Sequence, residues 1–311
     1  MADTDDRAIP LTGLDGGNLL GFLAALGALR TLALAHPDDE WQMKWDTPHG
    51  GWIPIVRCRS RIGPDVVVDR LFAGLERDST PEFGLNRHPE VKNLSVDPQT
   101  FREVSTEAQT LATPERRRYA DFIAAFGSDG CVAQDGKTIE DTDLRTMSGA
   151  GHQHFLGTMK QLASQTEARH LREALFGPWR YADEKLGLRW DPQEDRRYAL
   201  RWEKPAGGPA KTVRGANRLA VEALPLFPAV PGVGGLETTG FVRRDKRVSL
   251  TWPLWTPAAS AETVRSLLAL PEVRQPKPDR QSLRARGVVE LFRCERITVA
   301  KYRNFTRARA V

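Results

Sequence analysis

The stretch Leu19–Ala35 constrains this chain more than any other. Seventeen consecutive residues carry no carboxylate and no lysine, and only Gly21, Gly27, Arg30 and Thr31 interrupt the Leu, Ala and Phe side chains. The turn-rich segment 11–18 precedes it, with Asp15 and Asn18 as candidate N-cap oxygens, and His36-Pro37 stops it. A helix that is apolar or small on nearly every side must be wrapped by protein or by lipid. Seventeen residues is marginal for a membrane span. Asp3, Asp5 and Asp6 stand where a secretory signal needs basic residues. The expectation is a central core helix of a cytoplasmic protein, with no membrane partner.

The chain around it has ordinary globular composition, 40% apolar and 27% charged over 311 residues. That excludes a wholly disordered, collagen-like or coiled-coil chain. Cys58, Cys131 and Cys294 lie far apart, with no C-x2-C spacing, so neither a zinc site nor a disulfide framework is expected. Net charge is only +5, but residues 181–311 hold 25 Lys+Arg against 14 Asp+Glu, leaving the first 180 residues acidic. A basic half points to a polyanion or to an acidic protein surface.

Local patterns divide the same way. Residues 52–56 and 66–68 read as strands broken by Gly63-Pro64, 83–99 as loop, and 115–126 as a short helix opening with Arg116, Arg117 and Arg118. Helices are expected over 154–163, 167–176, 213–223 and 261–270, a strand over 248–252, and a final long strand or hairpin over 288–299. Residues 188–190 and 198–202 read as a hairpin across Asp191-Pro192. The fold class is α+β: a mixed part, residues 1–180, built on the apolar helix, and a basic β-rich part, residues 181–311. The boundary is expected near 178–188.

Several segments resemble chemical motifs. Gly130 to Thr138 has the letters of a phosphate-binding loop, but five residues separate its glycines where four are required. Asp135-Gly136 between short apolar runs explains the same letters as a hairpin turn. Ser148, Gly149, Gly151 and His152 lead into a helix, so their backbone N–H groups form a candidate anion-binding loop. His152 and His154 lack a third ligand at metal-site spacing. No hydrolase, metalloprotease or nuclease signature is present, so neither catalytic residues nor a cofactor are assigned. Strand alternation places Leu188 and Trp190 on one face and Arg189 on the other, with Trp202 and Arg201 likewise opposed. From Arg280 to Val311 there are nine Lys+Arg and two acids, a density that favours phosphate contact.

Leu11-Thr12-Gly13-Leu14-Asp15, opening a helix that ends Leu26-Gly27-Ala28-Leu29-Arg30, resembles the start of accessory and large-subunit proteins of type I-G (formerly I-U) CRISPR loci. Residues 197–202, 215–220, 224–228 and 301–305 resemble the same group. The resemblance implies a non-catalytic subunit of a crRNA-guided, Cascade-type interference complex. Such a subunit contacts target DNA, its protospacer-adjacent motif included, or crRNA, beside other subunits and a helicase–nuclease. On that reading Arg189, Arg201, Arg214 and Arg218 contact backbone phosphates, and Lys301, Arg303, Arg307 and Arg309 form a second basic contact. Two other classes stand beside it: a metal-dependent nuclease using His152 and His154, and a protein-interaction module that recruits the helicase–nuclease through its basic half.

Overall fold

A computed structural model describes residues 7–48, 50–76, 93–114, 116–147, 154–192, 211–245, 247–299 and 302–311. Helix α1, Leu19–Ala35, runs through the centre, and every residue from Leu19 to Leu32 is buried. Asn18 caps it, its side chain accepting from the Gly21 N–H, while Asp15 turns to the Gly17 N–H instead. No helix among the described residues is long and apolar enough to cross a membrane. Protein is what covers α1. A Cβ built on Gly27 would lie 1.7 Å from the Leu219 carbonyl oxygen. Glycine there lets α1 approach a helix almost two hundred residues away.

The fold is α+β. Strand β1 (Ala8–Pro10) precedes α1, and β2 (Gln42–Asp46) and β3 (Ile53–Arg57) follow it, forming an antiparallel sheet in the order β1-β3-β2. Then come α2 (Pro64–Glu76), α3 (Pro98–Leu111) and α4 (Arg118–Phe126). The hairpin β4 (Gly127–Val132) and β5 (Ile139–Asp141) is next, and α5 (Phe155–Gln165) and α6 (Ala168–Phe176) follow it. The pair β6 (Asp183–Glu184) and β7 (Lys211–Thr212) leads into α7 (Arg214–Ala223), the helix that meets α1 at Gly27. After the hairpin β8 (Ala229–Gly232) and β9 (Gly235–Thr238) comes an antiparallel sheet. Its strands are β10 (Phe241–Arg244), β11 (Arg247–Trp255), β12 (Val288–Val299), β13 (Tyr302–Phe305) and β14 (Arg309–Ala310). Both β13 and β14 pair with β12, and helices α8 (Ala261–Ala269) and α9 (Arg280–Ala285) lie between β11 and β12.

The apolar core draws on both sides of residue 180, so the expected boundary separates no two cores. Phe22 of α1 stacks on Trp45 of β2 and on Trp252 of β11, with ring centroids 5.8 and 5.5 Å apart, and Trp252 stacks in turn on Phe292. The indole N–H groups of Trp252 and Trp255 donate to the Gly16 and Met43 carbonyls, which keeps these buried rings satisfied.

Three local expectations are corrected. Residues 66–68 are helical, not a strand. Pro64 sits at the first helical position, where its missing N–H costs nothing, and Val67, Val68, Leu71 and Gly74 are buried at helical spacing. Residues 98–99 open α3 instead of closing a loop. The Asp97 side chain caps the Thr100 N–H, and Phe101, Val104 and Ala108 form the buried stripe. Residues 83–92 lie outside the described part. Residues 188–190 form no strand, and Arg189 has a left-handed φ of +58°. The short β6–β7 pair is the antiparallel contact in this region, while residues 198–202 fall outside the described part. The Asp135-Gly136 turn, by contrast, is the β4–β5 connection, with Gly136 at φ +67°.

Candidate nucleic-acid interface

Directly opposed residues of an antiparallel ladder project from the same face. In the C-terminal sheet, Leu250 opposes Cys294 and Trp252 opposes Phe292, and this face meets the core. The intervening pairs, Thr251 with Arg293 and Ser249 with Glu295, therefore lie on the other, outer face, where Thr251 itself is buried and Ser249 and Arg293 are half-buried. Arg244 opposes Arg247 and Arg293 opposes Arg309 in the same phase. The register thus gathers four arginines on the outer face.

Their charge is poorly matched there. Among the described strand residues Glu295 is the acid of that face, and its carboxylate lies 3.7 Å from Arg247. Among the described residues no carboxylate pairs with Arg244, Arg293 or Arg309. Neutral acceptors hold Arg293: Thr251 Oγ1 at 2.7 Å and the Gln275 and Pro276 carbonyls at 2.6 and 3.3 Å. Burial, and then the like charges of Arg309 and Arg244, lower the pKa of its guanidinium. Arg244, Arg247 and Arg309 are exposed, as is Arg307 in the turn before β14. Ladder bonds fix the backbone under these side chains, so they form a ready surface for phosphate oxygens.

Arg218 is corrected. It contacts no phosphate, because its side chain is only 3% exposed and its Nη1 lies 2.5 Å from Glu222 Oε1, one turn along α7. Glu222 also receives Arg118 of α4 and Arg30 of α1, the latter at 3.4 Å, and Arg30 reaches Asp121 at 3.2 Å. Arg117 closes the group onto Asp121 at 3.1 Å. Burial alone would raise the Glu222 pKa, but Arg118, Arg218 and Arg30 together hold it down to about 2. This network ties α1, α4 and α7 together inside the core. Of the basic run at 116–118, only Arg116 and Arg117 lie on the exposed surface.

The other expected contacts divide. Arg214 heads α7, its Nη2 3.1 Å from Asp183 and its Nη1 donating to the Gln165 carbonyl at 3.2 Å, so it links β6 to the end of α5. Arg189 is half-buried between Leu188 and Trp190, both fully buried. The Leu188 backbone N–H donates to the Asn217 side chain, which takes it out of any strand ladder, and the Trp190 indole N–H donates to the Leu144 carbonyl. Arg303 and Arg309 leave opposite faces of the sheet, and Arg303 turns inward to Asp141 at 3.3 Å. Arg201, Lys301, Ser148, Gly149, Gly151 and His152 lie outside the described residues. His154 is half-buried at the start of α5 and makes no capping bond. Among the described residues no three His, Cys, Asp or Glu side chains cluster as metal ligands.

Charge density indicates the segment 280–311, Arg293 within it, but does not single out Arg293 and leaves out Arg244 and Arg247. Strand alternation around 241–251 and 288–299 carries part of that signal, but only the pairing register shows that the three share a face with Arg309. No family model, no curated protein and no solved structure matches this chain.

Proposed function

We propose that the chain is a non-catalytic nucleic-acid-binding subunit of a crRNA-guided interference complex, working in the cytoplasm. It contacts target DNA, with the protospacer-adjacent motif among the candidate sites, and crRNA. The observation that carries this reading is the outer face of the C-terminal sheet, where Arg244, Arg247, Arg293 and Arg309 face one carboxylate among the described residues. A polyanion that places phosphates across these strands releases its condensed counterions, which supplies affinity without reading sequence. The resemblance of residues 11–30 to subunits of type I-G loci supports the assembly, with further subunits and a helicase–nuclease as partners. Base pairing by the guide then supplies sequence recognition, so the protein needs mainly to hold backbone.

The test is a titration of the full chain with single-stranded DNA, duplex DNA and RNA over a salt series. If the four arginines each neutralise one phosphate, affinity for duplex falls with a log–log salt slope of about −3 to −4. Affinity that stays flat from low to physiological salt contradicts the reading. Purifying the protein from its native operon, with whatever nucleic acid and subunits accompany it, tests the assembly.

A further inference from the structure

A second arginine cluster lies on the opposite face of the same sheet, where the hairpin β4–β5 abuts its open end. Arg145 lies 2.5 Å from Asp141, and Arg303 of β13 reaches the other oxygen of the same carboxylate at 3.3 Å. Arg243 of β10 and Arg296 of β12 share Asp143 at 3.0 and 2.9 Å, and Arg296 also donates to the Asp143 backbone carbonyl at 3.1 Å. Four guanidiniums therefore converge on two carboxylates. The nearby Glu140 carboxylate adds field at Arg243 but accepts the Leu236 N–H at 2.5 Å. The group retains positive charge.

It also retains donors. The Nε atoms of Arg145 and Arg296 are buried and have no hydrogen-bond partner among the described residues, and their side chains are only 8% and 10% exposed. A buried guanidinium N–H without an acceptor is costly and uncommon in a native fold. The cluster is not sealed, since Arg243 and Arg303 are 40% and 27% exposed. Burial, offset by Asp143 and reinforced by Arg303, lowers the pKa of Arg296. An anion would relieve both the excess charge and the orphaned donors.

We propose that Arg145, Arg243, Arg296 and Arg303 form a site for a phosphate group, separate from the outer face. A phosphate offers several acceptor oxygens in a tetrahedral array, so guanidiniums from four segments can share it. A planar carboxylate offers only two oxygens. The phosphate can come from the end or backbone of a nucleic acid strand, which rests on the function proposed above, or from a free small molecule, which does not.

Inorganic phosphate is the first probe, compared with chloride at equal ionic strength. Phosphate is expected to raise the melting temperature saturably, as a ligand of the folded state does. Arg303→Gln is expected to bind it at least about tenfold more weakly, the loss of a charge-assisted contact. Thr298→Glu guards against a variant that simply misfolds. Thr298 is exposed and opposes Arg303 in the ladder, so its replacement sets a carboxylate beside the cluster. That variant is expected to melt higher than the parent without phosphate and to respond less to phosphate. Equal melting in phosphate and chloride overturns the site. So does an unchanged response in both variants.

The second arm compares oligonucleotides with and without a 5′-phosphate. A gain from the phosphate that disappears in Arg303→Gln assigns the site to a strand end. Equal binding of both, with each displacing inorganic phosphate, assigns it to backbone phosphate. If inorganic phosphate binds and neither oligonucleotide displaces it, the site takes a small molecule. The reading of the outer face then stands or falls on its own salt series.

Discussion

Arginines serve two opposite ends in this molecule, and their counter-charges show which. Around Glu222, Arg30, Arg118 and Arg218 are nearly enclosed, and each guanidinium meets a carboxylate from another part of the chain or from one turn along its own helix. On the outer face of the C-terminal sheet, Arg244, Arg293 and Arg309 meet none among the described residues, and neutral carbonyl and hydroxyl oxygens hold Arg293. The first group joins α1, α4 and α7, whereas the second leaves its charge for something outside the chain. Composition counts both alike. What separates them is whether the fold delivers an acid to the same place.

Glu222→Ala should break the comparison most sharply. It removes the carboxylate that Arg30, Arg118 and Arg218 share and should cost about 3–5 kcal/mol in a denaturant melt, because it strands buried cations. Loss below about 1 kcal/mol would mean that water already reaches the network. Acid should act on the same residue. Glu222 falls from an ordinary 4.5 to about 2 on folding, so its contribution is complete above 4.5 and fades as pH falls toward about 2. A stability–pH curve of the parent should bend downward in that window, and the Glu222→Ala curve should be flatter there.

A smaller effect is expected from Gly27→Ala. The added methyl would press on the backbone at Leu219, so α1 and α7 must separate, at about 1–3 kcal/mol in the same assay. Arg218→Met is expected to cost less than Glu222→Ala, because Arg30 and Arg118 still neutralise Glu222. The reverse order would show that Arg218 is the principal partner. Least of all should be the stability change in Arg244→Gln with Arg309→Gln, within about 0.5 kcal/mol for exposed side chains.

Much of this architecture is legible locally. The stop at His36-Pro37 and the Asp135-Gly136 turn each follow from a few adjacent residues, while the structure decides between Asp15 and Asn18 as the cap and between strand and hairpin over Val288–Val299. Misreadings arise where neighbours compete. Three consecutive valines suggest a strand at 66–68, but Pro64 and the spacing to Leu71 and Gly74 make the helix the arrangement that buries Val67 and Val68, with Val66 left exposed. The arginine roles were least legible. Arg218 and Glu222 stand at i,i+4, a visible pair, yet nothing local shows that Arg118 and Arg30 converge there from α4 and α1. Likewise, Arg293 and Arg309 become neighbours only through strand register, and Arg303, which pairs with the same strand β12 through Thr298, faces the other way.

The salt dependence of duplex binding, measured for the parent chain and for Arg244→Gln with Arg309→Gln, tests the nucleic-acid role of the outer face most directly. Two phosphate contacts removed should reduce the magnitude of the log–log slope by about 2 and weaken binding at low salt, while the melting temperature stays put. An unchanged slope, with the fold intact, would contradict the assignment of that face as the nucleic-acid surface.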